Sequence, residues 1–314
     1  MNSEHAALPP FTDEIFRRFE PQGAHAPVVI DVSRSGRRYP VEFRPAAPFS
    51  AVHSRISMYV DELLARAPEI GATLLCAEFP ITYIDPNRAA DDVDPALIEG
   101  TWPEPLRPTD QSLKIGAGLI HAVGAGNVPL YAGKLSVWQV AQRIERFYQP
   151  YHAELARILA DAKARHGFVF HLSFHCMSSR DPKNPHGPEA VRPDICIGDR
   201  DGTTCDIGFR EMVAQRFQEL GYHVAINSPF KGSEIMRRHG SPRTGTHSLQ
   251  VEICKRLFMD EETGERGPRF TRLQSELREV IRLVCRYAEQ HGDARKKPAS
   301  TAGDFRKSDK GDAR

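Results

Sequence analysis

The segment Phe168-Val-Phe-His-Leu-Ser-Phe-His175-Cys-Met-Ser-Ser179 constrains the fold more than any other part of this chain. Phe168, Phe170, Leu172 and Phe174 alternate with Val169, His171, Ser173 and His175, the period of two of a pleated strand. Gly167 and a long helical pattern precede this strand, and a loop rich in proline and glycine follows it. An imidazole where a buried strand opens into a loop stands where α/β enzymes hold catalytic groups or metal ligands. A hydrogen-bonded histidine at a strand end is the plainer alternative.

Other segments fit the same architecture. Val28–Val32 is a β-branched strand, followed by the polar turn Ser33-Arg-Ser-Gly-Arg-Arg-Tyr-Pro40. Ser50 is placed to cap a helix carrying Val52, Ile56, Tyr59, Val60, Leu63 and Leu64 at helical spacing, with Gly71 as its stop. Thr73–Ala77 reads as a second strand. Ser136 opens the next helix, and Pro150 within its apolar stripe is predicted to kink or split it. Loop 176–207 follows the histidine strand. A helix near 208–220, the strands Tyr222–Ile226 and Ser248–Ile253, and a last helix from near Thr271 complete the order. Strands alternating with helices predict a layered α/β fold with a largely parallel sheet. In such sheets the loops leaving the carboxyl ends of strands line the ligand crevice, here 33–40, 78–95, 175–206 and 227–246. The chain divides into a lead-in over 1–26, one α/β domain over 27–293, and an aperiodic charged tail over 294–314 that is predicted to be disordered.

A net charge of +1 over 314 residues gives no support for nucleic-acid binding. No apolar run approaches the roughly 20 residues that span a bilayer, and the first ten residues do not read as a signal peptide. The six cysteines are scattered without a Cys-x-x-Cys pair, which suits reduced thiols and a cytoplasmic location.

The candidate chemistry sits on two strands and three loops. In Ser248–Cys254, alternation sets Ser248, Gln250, Glu252 and Cys254 on one face. A carboxylate in a buried strand is costly unless paired or functional, and burial would raise its pKa toward that of a general base. His171 and His175 share a strand face but lie about 13 Å apart, too far to bind one ion together. Asn227-Ser-Pro-Phe-Lys231-Gly-Ser-Glu234 follows a strand, and its amides and Lys231 are placed to hold an anion, or else form an ordinary turn. Arg192 or Arg200 can grip a carboxylate or rigidify its own loop through nearby aspartates. Walker, Gly-x-Gly-x-x-Gly, Gly-x-Ser-x-Gly and His-Glu-x-x-His motifs are absent from the sequence.

The order of several short motifs resembles the N-formylglutamate amidohydrolase family. These are Tyr59-Val-Asp-Glu-Leu63, Phe79-Pro-Ile-Thr-Tyr-Ile-Asp85-Pro-Asn87-Arg88, Gly118-Leu-Ile120, Tyr151-His152 and His175-Cys-Met-Ser-Ser179. Arg192-Pro-Asp194 through Cys205, Asn227-Ser-Pro-Phe-Lys231-Gly232 and His247-Ser-Leu-Gln250-Val-Glu252-Ile253 continue the series. The resemblance implies a three-layer α/β sandwich around a mixed, largely parallel sheet, similar to zinc-dependent exopeptidases. It implies hydrolysis of the amide C–N bond of N-formyl-L-glutamate, or of a related N-acyl amino acid, by metal-activated water. Mapped onto this chain, Glu252 is the base and His175 a zinc ligand. Arg88, Arg192, Asn227, Lys231 and His247 line the pocket of a small carboxylate-bearing substrate.

The departures from the family pattern fall on the metal site. Where the pattern carries Pro-His-Ser-Gly, with a ligand histidine, this chain has Ser33-Arg34-Ser35-Gly36. Ser57 occupies the region of an expected acidic ligand, and Ile81 and Ser173 replace an arginine and an aspartate. A catalytic zinc needs about three protein ligands. An inward Arg34 about 4 Å from a dication would be repelled by roughly 8 kcal/mol at an effective dielectric of 20. Two further readings follow: a relative that binds a carboxylate metabolite or a protein partner without zinc, or a hydrolase that recruits Cys176, Glu78 or Asp85 beside His175.

Overall fold

The β-branched and aromatic runs pair into one seven-stranded sheet in a computed structural model that describes residues 15–181 and 191–296. Its strands are β1 (Phe16–Phe19), β2 (Val28–Val32), β3 (Thr73–Ala77), β6 (Val169–Met177), β7 (Ile195–Gly198), β8 (Val224–Ile226) and β9 (Thr246–Cys254). A separate ribbon pairs β4 (Ile98–Glu99) with β5 (Leu135–Ser136). The sheet order is β1-β3-β2-β6-β9-β7-β8. Four of its six pairings are parallel; β1 with β3 and β7 with β9 are antiparallel.

Helices cover both faces. They are α1 (Phe49–His53), α2 (Val60–Leu63), α3 (Asp110–Leu113), α4 (Val137–Arg143), α5 (Gln149–His166), α6 (Ile207–Glu219), α7 (Glu234–His239) and α8 (Phe270–Lys296). On one face Ile30, Leu74, Phe170, Leu172, Leu249 and Val251 pack against α2, α6 and α8. The other face is apolar toward its β3 side, where Val29, Leu75 and Ala77 join Tyr151 and Leu155 of α5. Along β2, β6 and β9 this second face turns polar. That asymmetry positions everything described below.

Several expected elements differ in detail. The helix expected over 50–64 is broken into α1 and α2. Within the break the N–H of Ser57 donates to the carbonyl of Arg34 (2.7 Å), outside any helical ladder, and Tyr59 adopts φ +66°. Ser136 does cap α4, in a reciprocal capping box with Gln139. A π-helical turn over Ile144–Tyr148 joins α4 to α5, and Pro150, which has no N–H to donate, follows directly after it in the first turn of α5. Strand β1 lies inside the expected lead-in, where it pairs with β3. Helix α8 continues to Lys296, past the expected boundary at 293. The rest of the lead-in, residues 1–14, and the tail after 296 lie outside the described residues.

Strand β7 was not anticipated. Its Ile195-Cys-Ile-Gly198 lies within the stretch expected to be a loop, and it runs antiparallel to β9. Strand β8 follows its direction. The loops after β7 and β8 therefore leave the sheet midway along β9, level with Gln250, and head away from the carboxyl ends of β2, β3, β6 and β9. No described helix is long and apolar enough to cross a membrane.

Candidate active site

Alternation decides which side chains face the covering layer of α5. These are Asp31 on β2, His171, Ser173 and His175 on β6, and Ser248, Gln250 and Glu252 on β9; all are buried. Midway along the strands the Tyr151 hydroxyl donates to Asp31 Oδ2 (2.9 Å). His171 Nε2 lies 2.9 Å from Asp31 Oδ1, and His171 Nδ1 lies 3.0 Å from Ser248 Oγ. Burial would raise the Asp31 carboxyl, but the His171 contact outweighs it and holds the group below its ordinary value. Ser248, His171 and Asp31 thus touch in the order of a hydrolase triad. The serine meets the wrong ring nitrogen and all three are fully buried. The network ties three strands to α5.

At the carboxyl edge His175 and Glu252 are paired residues of adjacent parallel strands, about 5 Å apart at the backbone. Both project from the same face. Gln250 Nε2 donates to Glu252 Oε1 (2.9 Å). Burial pushes the Glu252 carboxyl up to about 7, against the opposing charges of Arg34, Arg192 and Arg88. Burial, then the charge of Arg34, lowers His175 to about 3, so its imidazole is neutral at pH 7. His175 Nε2 lies 3.0 Å from Ser173 Oγ and 3.4 Å from Asn87 Nδ2. Asn87 also donates from Nδ2 to Gln250 Oε1 (3.3 Å) and accepts from the N–H of Ile235 at its own Oδ1 (3.0 Å). It joins the loop after β3, β6, β9 and α7 beneath one site.

The turn after β2 brings Arg34 to this edge. A Cβ on Gly36 would lie 2.2 Å from the carbonyl oxygen of Phe79, so only glycine lets the turn pass this close. Arg34 Nε donates to Asp85 Oδ1 (3.1 Å), and Nη2 donates to Asp85 Oδ2. Asp85 is fully buried and also receives the N–H of Asn87 (2.9 Å), while His121 Nε2 lies 3.3 Å from its Oδ2. Burial opposes ionisation of Asp85, but Arg34 and His121 outweigh it and hold the carboxyl well below the usual range. Ser57 lies against the same place, its Oγ accepting the N–H of Cys176 at 3.4 Å.

Two more guanidinium groups face Glu252. Arg88 is held by the carbonyl of Ala117 (2.8 Å) and the hydroxyl of Ser233 (3.0 Å). Burial and the nearby Arg34 charge both lower its pKa. Arg192 precedes β7, whose reversed direction returns it to the carboxyl edge of β9. It donates to Ser178 Oγ (3.1 Å) and lies over the Phe230 ring. The side chains of Arg34 and Arg192, 17% and 14% exposed, connect the buried pair to solvent. Several buried polar atoms at this edge lack a hydrogen-bond partner among the described residues: His175 Nδ1, His121 Nδ1, Ser33 Oγ and Ser35 Oγ.

Three expected pocket residues have their side chains engaged away from Glu252. Asn227 follows β8 level with Gly198 and Gln250, but its side chain turns to the β7 loop, where its Nδ2 donates to Asp199 Oδ1 (2.7 Å) and its Oδ1 accepts the N–H of Asp199 (3.0 Å). Lys231 is exposed and paired with Asp201 at 2.9 Å. His247 pairs with Phe170, five residues before Glu252 and so about 16 Å from it along β9. It accepts the N–H of Asp206 and lies beside the Phe170 ring. Arg200 sits with Lys231, whose carbonyl takes its N–H (2.6 Å). Arg55, Asn87 and Gln250 were not singled out as site residues. Alternation with Glu252 was a usable signal for Gln250. Arg55 gave none, because its helical pattern does not form a helix there. Its Nη2 donates to the carbonyl of Gly124, its Nε is buried without a partner, and burial together with the Arg34 charge lowers its pKa.

The crevice does not fit a zinc ion. Among the described residues no three of His, Cys, Asp and Glu converge as ligands. Glu78, one of the alternative ligands, is engaged by Arg17 and Arg38, and Asp85 by Arg34.

A family model described as N-formylglutamate amidohydrolase matches residues 26–259. The chain is similar to the N-formylglutamate deformylase of Pseudomonas aeruginosa, 28% identical over 211 residues that cover 65% of this chain and 71% of that protein. It is also similar to the enzyme of that name from Pseudomonas putida, 27% identical over 65% of this chain and 70% of the relative. The crystal structure of an N-formylglutamate amidohydrolase from Ralstonia eutropha JMP134 superposes with a TM-score of 0.83 at 38% identity, covering 88% of this chain and 99% of that one. A gene product of Agrobacterium tumefaciens, 16% identical over 90% of this chain and 99% of its own, shares the fold with a TM-score of 0.61. With its fold, its ordered motifs and three quarters of its length in agreement, the chain belongs to the N-formylglutamate amidohydrolase family of carbon–nitrogen hydrolases.

Proposed function

We propose that this crevice hydrolyses the amide C–N bond of N-formyl-L-glutamate or of a closely related N-acyl amino acid. The observation that carries the reading is the buried Glu252 carboxyl, held near pKa 7 beside three guanidinium groups, two of which, Arg34 and Arg192, reach solvent. A base of that pKa is half ionised at neutral pH and matched to proton transfer there. The ionised carboxylate takes a proton from water as the water oxygen bonds to the acyl carbon. The acid then returns that proton to the amide nitrogen as the C–N bond breaks. Formate and a free amino acid leave.

Arg88 and Arg192 suit the carboxylates of such a substrate, since neither is fully neutralised by a partner among the described residues: Arg192 approaches Asp181 only to 3.6 Å. Partnerless buried polar atoms cost roughly 1–3 kcal/mol each, and a polar ligand would relieve that cost. The small number of metal-ligating groups favours a second reading, a family member that binds the carboxylate ligand without turning it over. A formate-release assay with N-formyl-L-glutamate decides between them. Turnover that disappears in Glu252→Gln supports the hydrolase. Saturable binding without formate supports the binder.

A further inference from the structure

We propose that Arg34, fixed by Asp85, is the resident cation of this crevice, and that the site needs no divalent metal. The inference rests on the proposed hydrolase reading for its reaction, but its structural basis is separate. Asp31, midway along the strands, and Asp61, Glu78 and Asp85 nearer this edge are all buried, and each is tied to donors or cations, with Asp61 Oδ1 left without a partner among the described residues. Asp31 is held by His171 and Tyr151, and Asp61 by Arg17 and Arg37. Glu78 is held by Arg17 and Arg38, and Asp85 by Arg34, Asn87 and His121. His175, His121, Cys176 and Glu252 remain, and among the described residues no three of them converge as the three protein ligands of a catalytic zinc.

The positive charge is already present. The guanidinium of Arg34 cannot be deprotonated in a protein, and its bidentate seat on a fully buried carboxylate fixes its direction. The backbone on both sides of it is pinned as well, by Ser57 at its carbonyl and by the close passage of Gly36 over Phe79. Preorganised N–H donors are what a developing oxyanion requires. In the reaction above, water adds to the acyl carbon while its proton passes to Glu252. The negative charge gathers on the former carbonyl oxygen, which accepts hydrogen bonds from Arg34. No bond to Arg34 forms. As the C–N bond breaks the electron pair returns to the carbonyl, and the proton on Glu252 goes to nitrogen.

The test uses the full chain purified without chelator. Zinc content is measured, chelator-treated protein is titrated calorimetrically with zinc chloride, and formate release from N-formyl-L-glutamate is assayed with and without EDTA. Arg34→Gln alone would leave Asp85 buried and unpaired, so the double variant Arg34→Gln, Asp85→Asn is compared with it, and circular dichroism checks the fold. The expected result is no stoichiometric zinc, formate release unchanged by EDTA, and a loss of about a hundredfold or more in the folded double variant. One tightly bound zinc per chain with EDTA-sensitive release overturns the proposal, as does full activity in the double variant. If no form releases formate, the hydrolase reading fails and the Arg34 inference is decided separately, by the thermal shift that N-formyl-L-glutamate induces. A shift that survives EDTA and vanishes in the double variant upholds Arg34. A shift that needs zinc, or none at all, overturns it.

Discussion

Glu252 shows how one side chain takes its chemistry from its place in a strand. Its pKa of about 7 comes from burial, and the surrounding arginines pull in the other direction. The sign of the linkage follows. A carboxyl with a raised folded pKa contributes stability that is fully present below its unfolded value of about 4.5 and lost as the pH rises to 7. The loss is about 3 kcal/mol at roughly 1.4 kcal/mol per unit. Glu252→Gln has no such titration. Its melting temperature relative to the unsubstituted protein should therefore rise between pH 5 and pH 7.5 and level off above, as measured by calorimetry. A difference that stays flat across that range would show that the carboxyl is not the group described. Formate release should fall by roughly 10²- to 10⁴-fold in the same variant, and release by the unsubstituted protein should show an acid limb near pH 7. This residue was legible in the sequence because a period of two needs no knowledge of the fold. His175 was legible for the same reason. Arg55 was not, since burial beside another arginine is a tertiary fact.

The elements explain which sequence expectations failed. The expectation that loops after strands gather at one edge holds only where strands run parallel. Four residues of β7 run the other way, and their Ile-Cys-Ile core is short enough to read as part of a charged loop. The reversal brings Arg192 to the crevice, while the side chains of Asn227 and Lys231 turn to Asp199 and Asp201 beside it. His247 is on the expected strand but at its far end. Function should divide along this line. Arg192→Ala is expected to raise KM for N-formyl-L-glutamate about tenfold or more, the value of losing a charge-assisted contact of about 1.5–3 kcal/mol. Asn227→Ala and His247→Ala should leave KM unchanged and lower the melting temperature. Asn227→Ala strands the Asp199 loop without two hydrogen bonds, and His247→Ala opens space beside Phe170. Steady-state kinetics and thermal melts on the three variants make the comparison. A KM increase in His247→Ala equal to that in Arg192→Ala would place the pocket at the wrong end of the sheet.

At the scale of the molecule, one face of the sheet is hydrocarbon against α6 and α8, and the other carries a polar stripe from His171 to Glu252 under α5. The layered α/β class was legible because alternating strands and helices allow few other packings. Of the stripe's partners on the covering layer, Asp85, Asn87 and His152 showed only through the ordered motifs and His239 not at all, because they reach it from segments with no periodic pattern in common. That construction has a cost in acid. His152 and His239 stack at the covering layer, His152 Nδ1 lying 3.1 Å from His239 Nε2, and His152 Nε2 donates to the carbonyl of Pro86 at 2.9 Å. Burial lowers His152 to about 4 and His239 to about 3, each helped by a neighbouring cation or imidazole. A histidine with a depressed folded pKa contributes stability that is present above about 6.5 and lost as the pH falls toward the folded value. The two together withdraw several kcal/mol between pH 6.5 and pH 4, a large share of a typical folding free energy of about 5–15 kcal/mol. The protein is therefore expected to lose stability steeply below pH 6, with uptake of about two protons on unfolding from this pair. His239→Gln keeps a donor for His152 Nδ1 and removes one titrating group, so its slope of unfolding free energy against pH near 5 should be smaller by about one proton. Denaturant unfolding at several pH values measures that slope. An unchanged slope would show that the imidazole pair is not what acid attacks.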